Sequence, residues 1–436
     1  MQIKSIRGFN DILPDKIKRW HHIENTAKGI LELYGFSEIR TPVIEFTEIF
    51  ARSLGTTTDI VEKEMYTFTD RDGSSLTLRP EGTAGVVRAY IEHALYSISP
   101  IWKLYYMGMM FRHERPQKGR YRGFYQIGAE LFGSKDPFSD AEVITMLWRF
   151  FEAIGVSNYL TLEISSIGDE RCRPLYRSKL IEFFSSRKDM LCKDCLRRLQ
   201  QNPIRILDCK QEGCKQLTQY APSILDNLCK ECSEHFESVQ KNLQNIGINF
   251  SINPRIVRGL DYYTRTVFEV TTKELGAQNA VGAGGRYDKL VEELGGPPTP
   301  AIGFAIGMER VVLLHEKAFP EDFKKRVDVF IAYLGSEAKK KAFFIADQLR
   351  RNSIATELDY EDRSLKSQLK RANKIGARFT IIIGEDELKQ DKVKLRNMKE
   401  STEEEIRFGD ILPRLKNTCS HLINTTSDFH RNQKAL

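Results

Sequence analysis

Apolar and polar positions follow two different periods along the first part of the chain. Residues 15–34 repeat apolar side chains every three or four positions, which predicts an amphipathic helix. Residues 101–111 and 124–132 are typical of two strands joined by a polar loop. Helices lie between the predicted strands but do not alternate with them regularly. We therefore expect an antiparallel α+β sheet rather than a doubly wound parallel one.

The pattern changes twice further along the chain. Segment 170–245 is helical and rich in Lys and Arg, and it interrupts sheet-like sequence that resumes at 248–270. We interpret it as an inserted domain. A β-α-β-α-β series follows a predicted linker at 316–326, which indicates a small open α/β domain with parallel strands.

Size and composition limit the class of protein. A chain of 436 residues is expected to form two or three domains, and 41% hydrophobic residues exclude a disordered chain. No apolar run approaches the roughly 18 residues of a membrane span, and the N-terminus lacks the apolar core of a signal peptide. We therefore expect a soluble, cytoplasmic protein. The net charge of +7 permits nucleic-acid binding without proving it.

The loop between the two predicted strands is strongly cationic. Its five cations are Arg112, Arg115, Lys118, Arg120 and Arg122. With Glu114 as the only acid, their mutual repulsion favours a polyanionic partner. Period-two spacing places Phe124, Gln126 and Glu130 on one face of the second strand. A strand with one solvent-facing polar side is the alternative, and we disfavour it because Glu130 lies between two apolar residues.

The glycine-rich segments suggest nucleotide-binding motifs. The chain contains no GxxxxGK[ST] sequence, which excludes a P-loop. The GAGG run at 282–285 precedes Arg286 without the strand–turn–helix context of a dinucleotide-binding fingerprint. The favoured interpretation of this run is a tight turn at which the backbone passes close to another group.

Six of the eight cysteines lie within one short segment. They are Cys192, Cys195, Cys209, Cys214, Cys229 and Cys232. The two CxxC pairs, 192–195 and 229–232, have the spacing of a tetrahedral Zn²⁺ site, with Cys209 and Cys214 as spare candidates. Zinc binding would stabilise the folded form of an insertion that has a small hydrophobic core. Free thiols explain the pattern equally well, so both interpretations stay open.

Several segments in the right order resemble motifs of the class II aminoacyl-tRNA synthetases, and in particular of histidyl-tRNA synthetase. They are Thr41-Pro42 (motif 1), 78–83 (LRPEGT), 112–130 (motif 2), 258–265 (RGLDYYTR), 283–288 (AGGRYD) and 303–310 (motif 3). The likeness extends from residue 7 to about residue 415. Motif 1 implies a homodimer, because it is a dimer-interface element in that class.

The resemblance implies an antiparallel-sheet class II synthetase catalytic domain with a helical insertion, followed by a C-terminal α/β anticodon-binding domain. The expected bounds are 1–169 for the catalytic domain with motifs 1 and 2, 170–245 for the insertion, 246–320 for the remainder of the catalytic domain and 326–425 for the anticodon-binding domain. The implied reaction is ATP-dependent ligation of L-histidine to its tRNA through a histidyl-adenylate, with release of AMP and pyrophosphate. Mg²⁺ is expected beside ATP, whereas zinc is not a general requirement of the family.

The resemblance also implies roles for individual residues. Arg112 and Arg258 are the expected catalytic residues, because a guanidinium binds phosphate oxygens through two donors and stays charged. The expected histidine-binding residues are Glu81, Gly82, Thr83, Arg112, Gln126, Glu130, Arg258, Tyr262 and Tyr263. The expected ATP-binding residues are Arg112, Glu114, Phe124 and Arg310. Arg115, Gln117 and Arg120 are expected to contact tRNA.

The terminal domain carries a second cationic surface. Its members recur at three- and four-residue spacing, and they are Arg363, Lys366, Lys370, Lys374 and Arg378. Leu365, Leu369 and Ala372 line the opposite side of the same predicted helix. A charge run is usually a solvated face, but this one contains no acid, which favours contact with the anticodon region of tRNA.

Two other functions remain as alternatives. A catalytically silent paralogue could act as a regulatory subunit of histidine biosynthesis. The complete set of Arg112, Arg258 and Arg310 and the complete C-terminal α/β domain disfavour it. A basic RNA-binding module without catalysis would leave the row of Glu81, Gln126 and Glu130 unexplained.

Overall fold

The chain forms two compact units, Met1–Asp322 and Phe323–Leu436. The structure is a computed structural model, and it describes residues 3–55, 58, 60–276, 279–320 and 327–419. None of the helices in these ranges combines the length and the apolar content that crossing a bilayer requires. The predicted linker at 316–326 falls partly on residues 321–326, which lie outside the described ranges, and its first three residues end a helix.

An eight-stranded sheet forms the centre of the first unit. Its strands are β1 (Ser37–Glu38), β5 (Trp102–Phe111), β6 (Gly123–Phe132), β11 (Ala301–Gly307), β10 (Ala280–Arg286), β9 (Thr264–Thr271), β7 (Thr161–Ser166) and β8 (Ser251–Ile252), in spatial order. A separate three-stranded antiparallel sheet has the order β2 (Ile44–Phe46), β4 (Ser75–Leu78), β3 (Tyr66–Thr69). The predicted antiparallel α+β class is confirmed for the central strands. The short strands β1 and β8 at the two edges pair in parallel instead.

Helices cover this sheet and fill the loops between its strands. They are α1 (Pro14–Leu33), α2 (Thr47–Leu54), α3 (Thr83–Glu92), α4 (Leu95–Ile98), α5 (Pro137–Ala153), α6 (Arg173–Ser185), α7 (Lys193–Gln201), α8 (Glu212–Thr218), α9 (Lys230–Asn245), α10 (Leu290–Glu293) and α11 (Met308–Ala318). Proline occupies the first turn of α1 and α5, where its missing N–H costs nothing. Asp136 caps α5 by accepting the N–H of Phe138 at 2.9 Å.

Strand alternation divides β6 between a core and an open face. Ile127, Ala129 and Leu131 pack into the main core with α1, α5 and α11. The even-numbered residues of the same strand point to the other side of the sheet, as the two-residue period requires. The long hairpin β5–β6 predicted from the sequence is confirmed over ten paired residues, from Trp102–Phe132 to Phe111–Gly123.

The glycine run at 282–285 lies inside strand β10 rather than in a tight turn, so that prediction is wrong. Glycine suits positions 284 and 285 because the neighbouring strands leave no space for a side chain there: a Cβ at Gly284 would collide with the backbone of β11, and one at Gly285 with the backbone of β9. The prediction also expected the backbone to pass close to another group at these glycines, and the structure shows this close approach. The extended conformation is set by pairing with β9 and β11 on both sides.

The insertion has a small core of its own between α6 and the start of α9. Helix α9 then buries Phe236, Val239 and Leu243 in the main core. The two CxxC pairs lie in separate clusters. The cysteines at 192 and 195 lie with those at 209 and 214, whereas the pair at 229 and 232 lies with Asp169 and Cys172. The two pairs therefore do not share one site, contrary to the prediction. The domain bounds themselves stay a prediction.

Within residues 327–419, the second unit forms a five-stranded sheet in the order β13-β12-β14-β15-β16. Its elements are β12 (Val327–Tyr333), α12 (Ser336–Arg351), β13 (Thr356–Leu358), α13 (Leu365–Lys374), β14 (Ala377–Ile383), α14 (Glu385–Lys389), β15 (Lys392–Asn397), β16 (Thr402–Arg407) and α15 (Ile411–Cys419). The first three strands are parallel, which confirms the predicted β-α-β-α-β series. The antiparallel strands β15 and β16 were not predicted.

Candidate active site

A cavity of about 390 Å³ opens on the face of the sheet opposite the main core. Strands β6, β9, β10 and β11 form its floor, and the β5–β6 loop and the segment before β9 form its walls. The predicted residues that line it are Glu81, Thr83, Arg112, Glu114, Arg120, Phe124, Gln126, Glu130, Arg258, Tyr262, Tyr263 and Arg310. The structure therefore brings together segments that are up to 229 residues apart (310 − 81).

Three arginines converge on this cavity from separate parts of the chain. Arg112 lies over the Phe124 ring, with its guanidinium carbon 5.3 Å from the ring centroid, and its Nε donates to the Pro80 carbonyl at 2.8 Å. Arg258 pairs with Glu269 at 2.5 Å between Nη1 and Oε1. Arg310 donates from Nε to the Gly119 carbonyl at 3.1 Å. Each guanidinium is thus oriented by the protein before any ligand arrives.

The cationic groups of this cavity also act on one another. Burial lowers the pKa of Arg310, and the neighbouring charges of Arg120 and Arg112 lower it further. Burial likewise lowers the pKa of Arg112, and Arg258 adds to this effect. Burial opposes the charge of Arg258 as well, but Tyr263 and Glu269 outweigh it and raise its pKa. The guanidinium groups stay protonated in every case, so their positive charges repel one another. A multivalent anion bound between them would relieve this repulsion, which makes the cavity suited to such a ligand.

Glu130 forms the opposite end of the cavity. Its carboxylate is almost fully buried, and it accepts hydrogen bonds from Thr83 Oγ1 at 2.7 Å and from the Tyr287 hydroxyl at 2.5 Å. Burial raises the pKa of Glu130 to about 8. A Cβ at Gly303, directly opposite on β11, would collide with this carboxylate. Glycine is therefore needed in motif 3 to leave space for the acid.

Two further predicted residues lie beside Glu130 with different environments. Glu81 accepts the N–H groups of Thr83 and Ala84, each at 2.8 Å, so its carboxylate caps the start of α3. Burial raises its pKa. Within the described residues, the buried Oε1 of Gln126 has no hydrogen-bond partner. An unsatisfied buried acceptor in a cavity wall is suited to a ligand that brings donors, such as an ammonium group.

Three predicted residues do not line the cavity. Gly82 lies behind it, where a Cβ would collide with the ring of Tyr106. Arg115 and Gln117 are exposed at the tip of the β5–β6 loop. Arg120, which was predicted to contact tRNA with them, instead lines the cavity and pairs with Glu114. The loop therefore has fewer free cations than the sequence indicated.

The prediction missed four polar side chains of the cavity. They are Tyr121, Glu269, Tyr287 and Glu309. Tyr287 lies within the AGGRYD signature, and Glu309 lies in motif 3 beside Arg310, so both motifs contained the signal. Glu309 accepts the N–H of Tyr125 at 2.9 Å, and burial raises its pKa to about 7. Nothing in the sequence around Glu269 marks it as the partner of Arg258.

The antiparallel sheet, with arginines from motifs 2 and 3 over one face, is the catalytic architecture of class II aminoacyl-tRNA synthetases, as the resemblance implied. The histidyl-tRNA synthetase family matches residues 8–311, and an anticodon-binding domain matches residues 328–418. The chain belongs to the histidyl-tRNA synthetase family.

Individual relatives agree with this membership. The chain is 55% identical to a histidine–tRNA ligase of Geobacter sulfurreducens over 404 residues, which cover 93% of this chain and 97% of that protein. The crystal structure of apo histidyl-tRNA synthetase from S. aureus is similar with a TM-score of 0.80 and 38% identity, covering 95% of this chain and 100% of that one. A Bacillus halodurans structure described as an ATP phosphoribosyltransferase regulatory subunit/histidyl-tRNA synthetase has a TM-score of 0.62 at 21% identity, covering 88% and 99%. That last likeness concerns the fold alone.

Proposed function

We propose that this chain ligates L-histidine to its cognate tRNA at the expense of ATP. An oxygen of the histidine carboxylate attacks the α-phosphorus, the bond to the bridging oxygen of the β-phosphate breaks, and histidyl-adenylate and pyrophosphate form. A ribose hydroxyl of the terminal adenosine then attacks the acyl carbon, and AMP leaves. The observation that carries the proposal is one cavity with three converging guanidinium groups and a buried carboxyl group at its other end.

The adenylation step needs positioning and positive charge rather than a covalent nucleophile of the protein. We assign the α-phosphate to Arg112 and Arg258, whose side chains are fixed by Pro80 and Glu269. Phe124 offers its ring to the adenine. Arg310 would bind the base from the other side or the terminal phosphates. Glu114, a loop residue that lines the cavity, is assigned to the nucleotide as well.

Selection of histidine depends on pairing both nitrogens of a neutral imidazole. We assign one nitrogen to Glu130, since each of its oxygens keeps a free lone pair beside the bonds from Thr83 and Tyr287. Tyr263, whose ring lies 5.1 Å from the Arg258 guanidinium carbon, is assigned to the other. Gln126 would accept the α-ammonium group, because its buried oxygen lacks a partner among the described residues.

Magnesium is expected to enter with ATP. The acidic residues of the cavity fit that role only in part: Glu269 pairs with Arg258, Glu114 pairs with Arg120, and Glu309 accepts a backbone N–H. Such carboxylates can add one or two ligands to a Mg²⁺ whose other ligands are phosphate oxygens and water. When bound, the ion neutralises charge on the triphosphate.

The unmodified protein tests the adenylation half of this proposal. It is expected to catalyse exchange of labelled pyrophosphate into ATP in the presence of histidine and not in its absence. Omission of tRNA should leave this exchange intact, because the adenylate forms before the acyl transfer. Histidine binding without exchange would instead favour the regulatory paralogue, and neither binding nor exchange would favour an RNA-binding module.

A cationic row on α13 supports anticodon binding by the second unit. Lys366, Lys370 and Lys374 are exposed, and no carboxylate pairs with them in the part of the chain that the structure describes. The outer two members of the predicted row differ, because Arg363 pairs with Glu361 at 2.8 Å and Arg378 with Asp328 at 3.7 Å. The three lysines are therefore the members that we assign to the RNA backbone.

Replacement of these three lysines by alanine should weaken tRNA binding and lower its salt dependence. Each phosphate that the protein no longer neutralises reduces the slope of log K against log salt by roughly 0.7–0.9, so the triple variant should show a slope smaller by about 2. Filter binding at several salt concentrations measures it. The triple variant of Lys389, Lys399 and Lys416 removes the same charge from other exposed positions of the unit, and an equal decrease there would contradict the assignment.

An apolar patch on the three-stranded sheet supports the proposed homodimer. Phe46 on β2 and Phe68 on β3 lie opposite the same residue of β4, and their exposed fractions are 59% and 43%. Val43 and Ile44 extend the patch beside motif 1. Contiguous exposed apolar surface of this kind marks an interaction site.

Phe46→Glu is expected to shift the protein from dimer to monomer, because it would place a carboxylate in a desolvated interface. Sedimentation velocity at micromolar concentration measures the change. Tyr220→Glu alters a residue of the insertion with 78% exposure and should leave the dimer intact. A monomeric unmodified protein, or a dimeric Phe46→Glu variant, would contradict this assignment.

A further inference from the structure

Four cysteine side chains converge in the core of the insertion, far from the cavity in sequence. They are Cys192, Cys195, Cys209 and Cys214, and their sulfur atoms all lie within 4.8 Å of one another. The last three are buried, and Cys192 is partly exposed. Two come from the start of α7, one follows a 3-10 turn, and one lies in α8. Three short elements thus meet at one point.

We propose that these four thiolates bind one Zn²⁺ ion that holds the insertion together. Four sulfur ligands at about 2.3 Å around a tetrahedral ion place the sulfur atoms about 3.8 Å apart. The Sγ atoms of Cys192 and Cys209 are separated by 3.8 Å. A disulfide would bring two sulfur atoms to about 2.05 Å. The observed separation matches shared ligation rather than a crosslink.

The surroundings of the cluster are also those of a structural metal site. The N–H of Cys192 donates to the Sγ of Cys214 at 3.2 Å, and such bonds orient and stabilise a thiolate ligand. Lysine follows three of the four cysteines directly in sequence, at 193, 210 and 215. Lys210 pairs with Asp208, so the charges of Lys193 and Lys215 would offset part of the excess negative charge of a zinc ion with four thiolates.

The insertion is small, so a bound metal would add to its stability. Its separate core has only twelve buried members among the described residues, and three of them are ligands of the cluster, namely Cys195, Cys209 and Cys214. Segments of this size commonly rely on disulfides or metals for stability. Zinc that binds only the folded arrangement adds its binding free energy to folding.

The second thiol cluster of the chain is a weaker candidate. It contains Asp169, Cys172, Cys229 and Cys232. Both carboxylate oxygens of Asp169 already accept bonds from Arg171, at 3.0 Å from the backbone N–H and at 2.7 Å from Nη2. A metal at this position would have three sulfur ligands rather than four, and its carboxylate ligand would be shared with that arginine. The cluster therefore serves as a matched control rather than as part of the proposal.

Metal analysis and sulfur-ligand spectroscopy of the full-length protein, purified without chelators, test the proposal. The double variant Cys172→Ser, Cys229→Ser should retain one zinc per chain, with four sulfur neighbours at about 2.3 Å by X-ray absorption. The double variant Cys192→Ser, Cys209→Ser should lose this zinc. Zinc that persists in the second variant, zinc with fewer sulfur neighbours in the first, or iron in place of zinc would overturn the assignment.

A measurement on the unmodified protein avoids dependence on the folding of these variants. Peptide mass spectrometry after alkylation should find the four thiols protected until a strong zinc chelator is added, and then modified together. Limited proteolysis should cleave the region 186–228 only after chelation. Thiols that are modified at the same rate with and without chelator, or disulfide-linked peptides from the cluster, would overturn the proposal. The cavity plays no part in either readout.

Discussion

Arg258→Ala should abolish histidine-dependent exchange between pyrophosphate and ATP while histidine binding largely persists. The guanidinium of Arg258 is fixed by Glu269 at the wall of the cavity, where the proposed α-phosphate develops charge in the transition state. Removal of a preorganised arginine that stabilises phosphoryl-transfer charge costs on the order of 10³-fold or more in rate. Exchange kinetics and calorimetric titration with histidine measure the two effects separately.

Two further variants show whether the loss is chemical or structural. Arg258→Lys keeps a positive charge beside Glu269 but loses the planar fork, so it should fold normally and remain severely impaired. Arg71→Ala removes an exposed arginine from a turn and should change neither the rate nor the thermal midpoint. Exchange within about tenfold of the unmodified rate in Arg258→Ala would contradict the assigned role.

Glu130→Gln should remove the preference for histidine and, at the same time, make the protein more stable at alkaline pH. A glutamine can keep hydrogen bonds to Thr83 and Tyr287, so the cavity should hold its shape. It replaces one carboxyl oxygen by an NH₂ group, which cannot accept the imidazole N–H, and we expect kcat/KM for histidine to fall by about 10²-fold or more. Exchange assays with histidine and with isosteric analogues measure this loss.

The stability effect follows from the raised pKa of Glu130. Burial moves this pKa from 4.5 to about 8, so the protonated form is favoured in the folded state. The stability that this form contributes is complete below pH 4.5 and is lost as the pH rises to about 8. The glutamine side chain does not titrate, so the variant does not lose stability in this way. Tm of the variant should therefore exceed that of the unmodified protein increasingly across this range and remain higher above it, whereas a constant difference at all pH values would contradict the burial argument.

The strand pattern made one row of the site predictable. Phe124, Gln126 and Glu130 share a face because a strand alternates sides, and that rule needs no tertiary information. Tyr287 could not be assigned from the same reasoning, because its bond to Glu130 joins two residues that are 157 positions apart in the chain. The glycine run failed for a related reason: glycine in a sequence indicates close approach, but only the sheet shows that Gly284 approaches an adjacent strand.

The second unit shows another limit of the sequence. Strand β16 is almost entirely polar, so its alternation gives no signal for a buried face. It pairs with β15 along six residues, and two cross-strand ion pairs accompany this pairing, Arg396 with Glu403 at 3.2 Å and Lys392 with Glu405 at 3.3 Å. The cysteines illustrate the same point, because CxxC spacing predicts ligands but not which distant cysteine completes the set.

A crystal structure with a non-hydrolysable histidyl-adenylate analogue, in which a sulfamate replaces the phosphate, tests the central claim most directly. The account predicts that Arg112 and Arg258 donate to the sulfamate oxygens, that Phe124 stacks on the adenine, and that Glu130 accepts from the imidazole ring. Guanidinium groups that point away from the bound analogue, or an imidazole outside hydrogen-bond distance of Glu130, would contradict it.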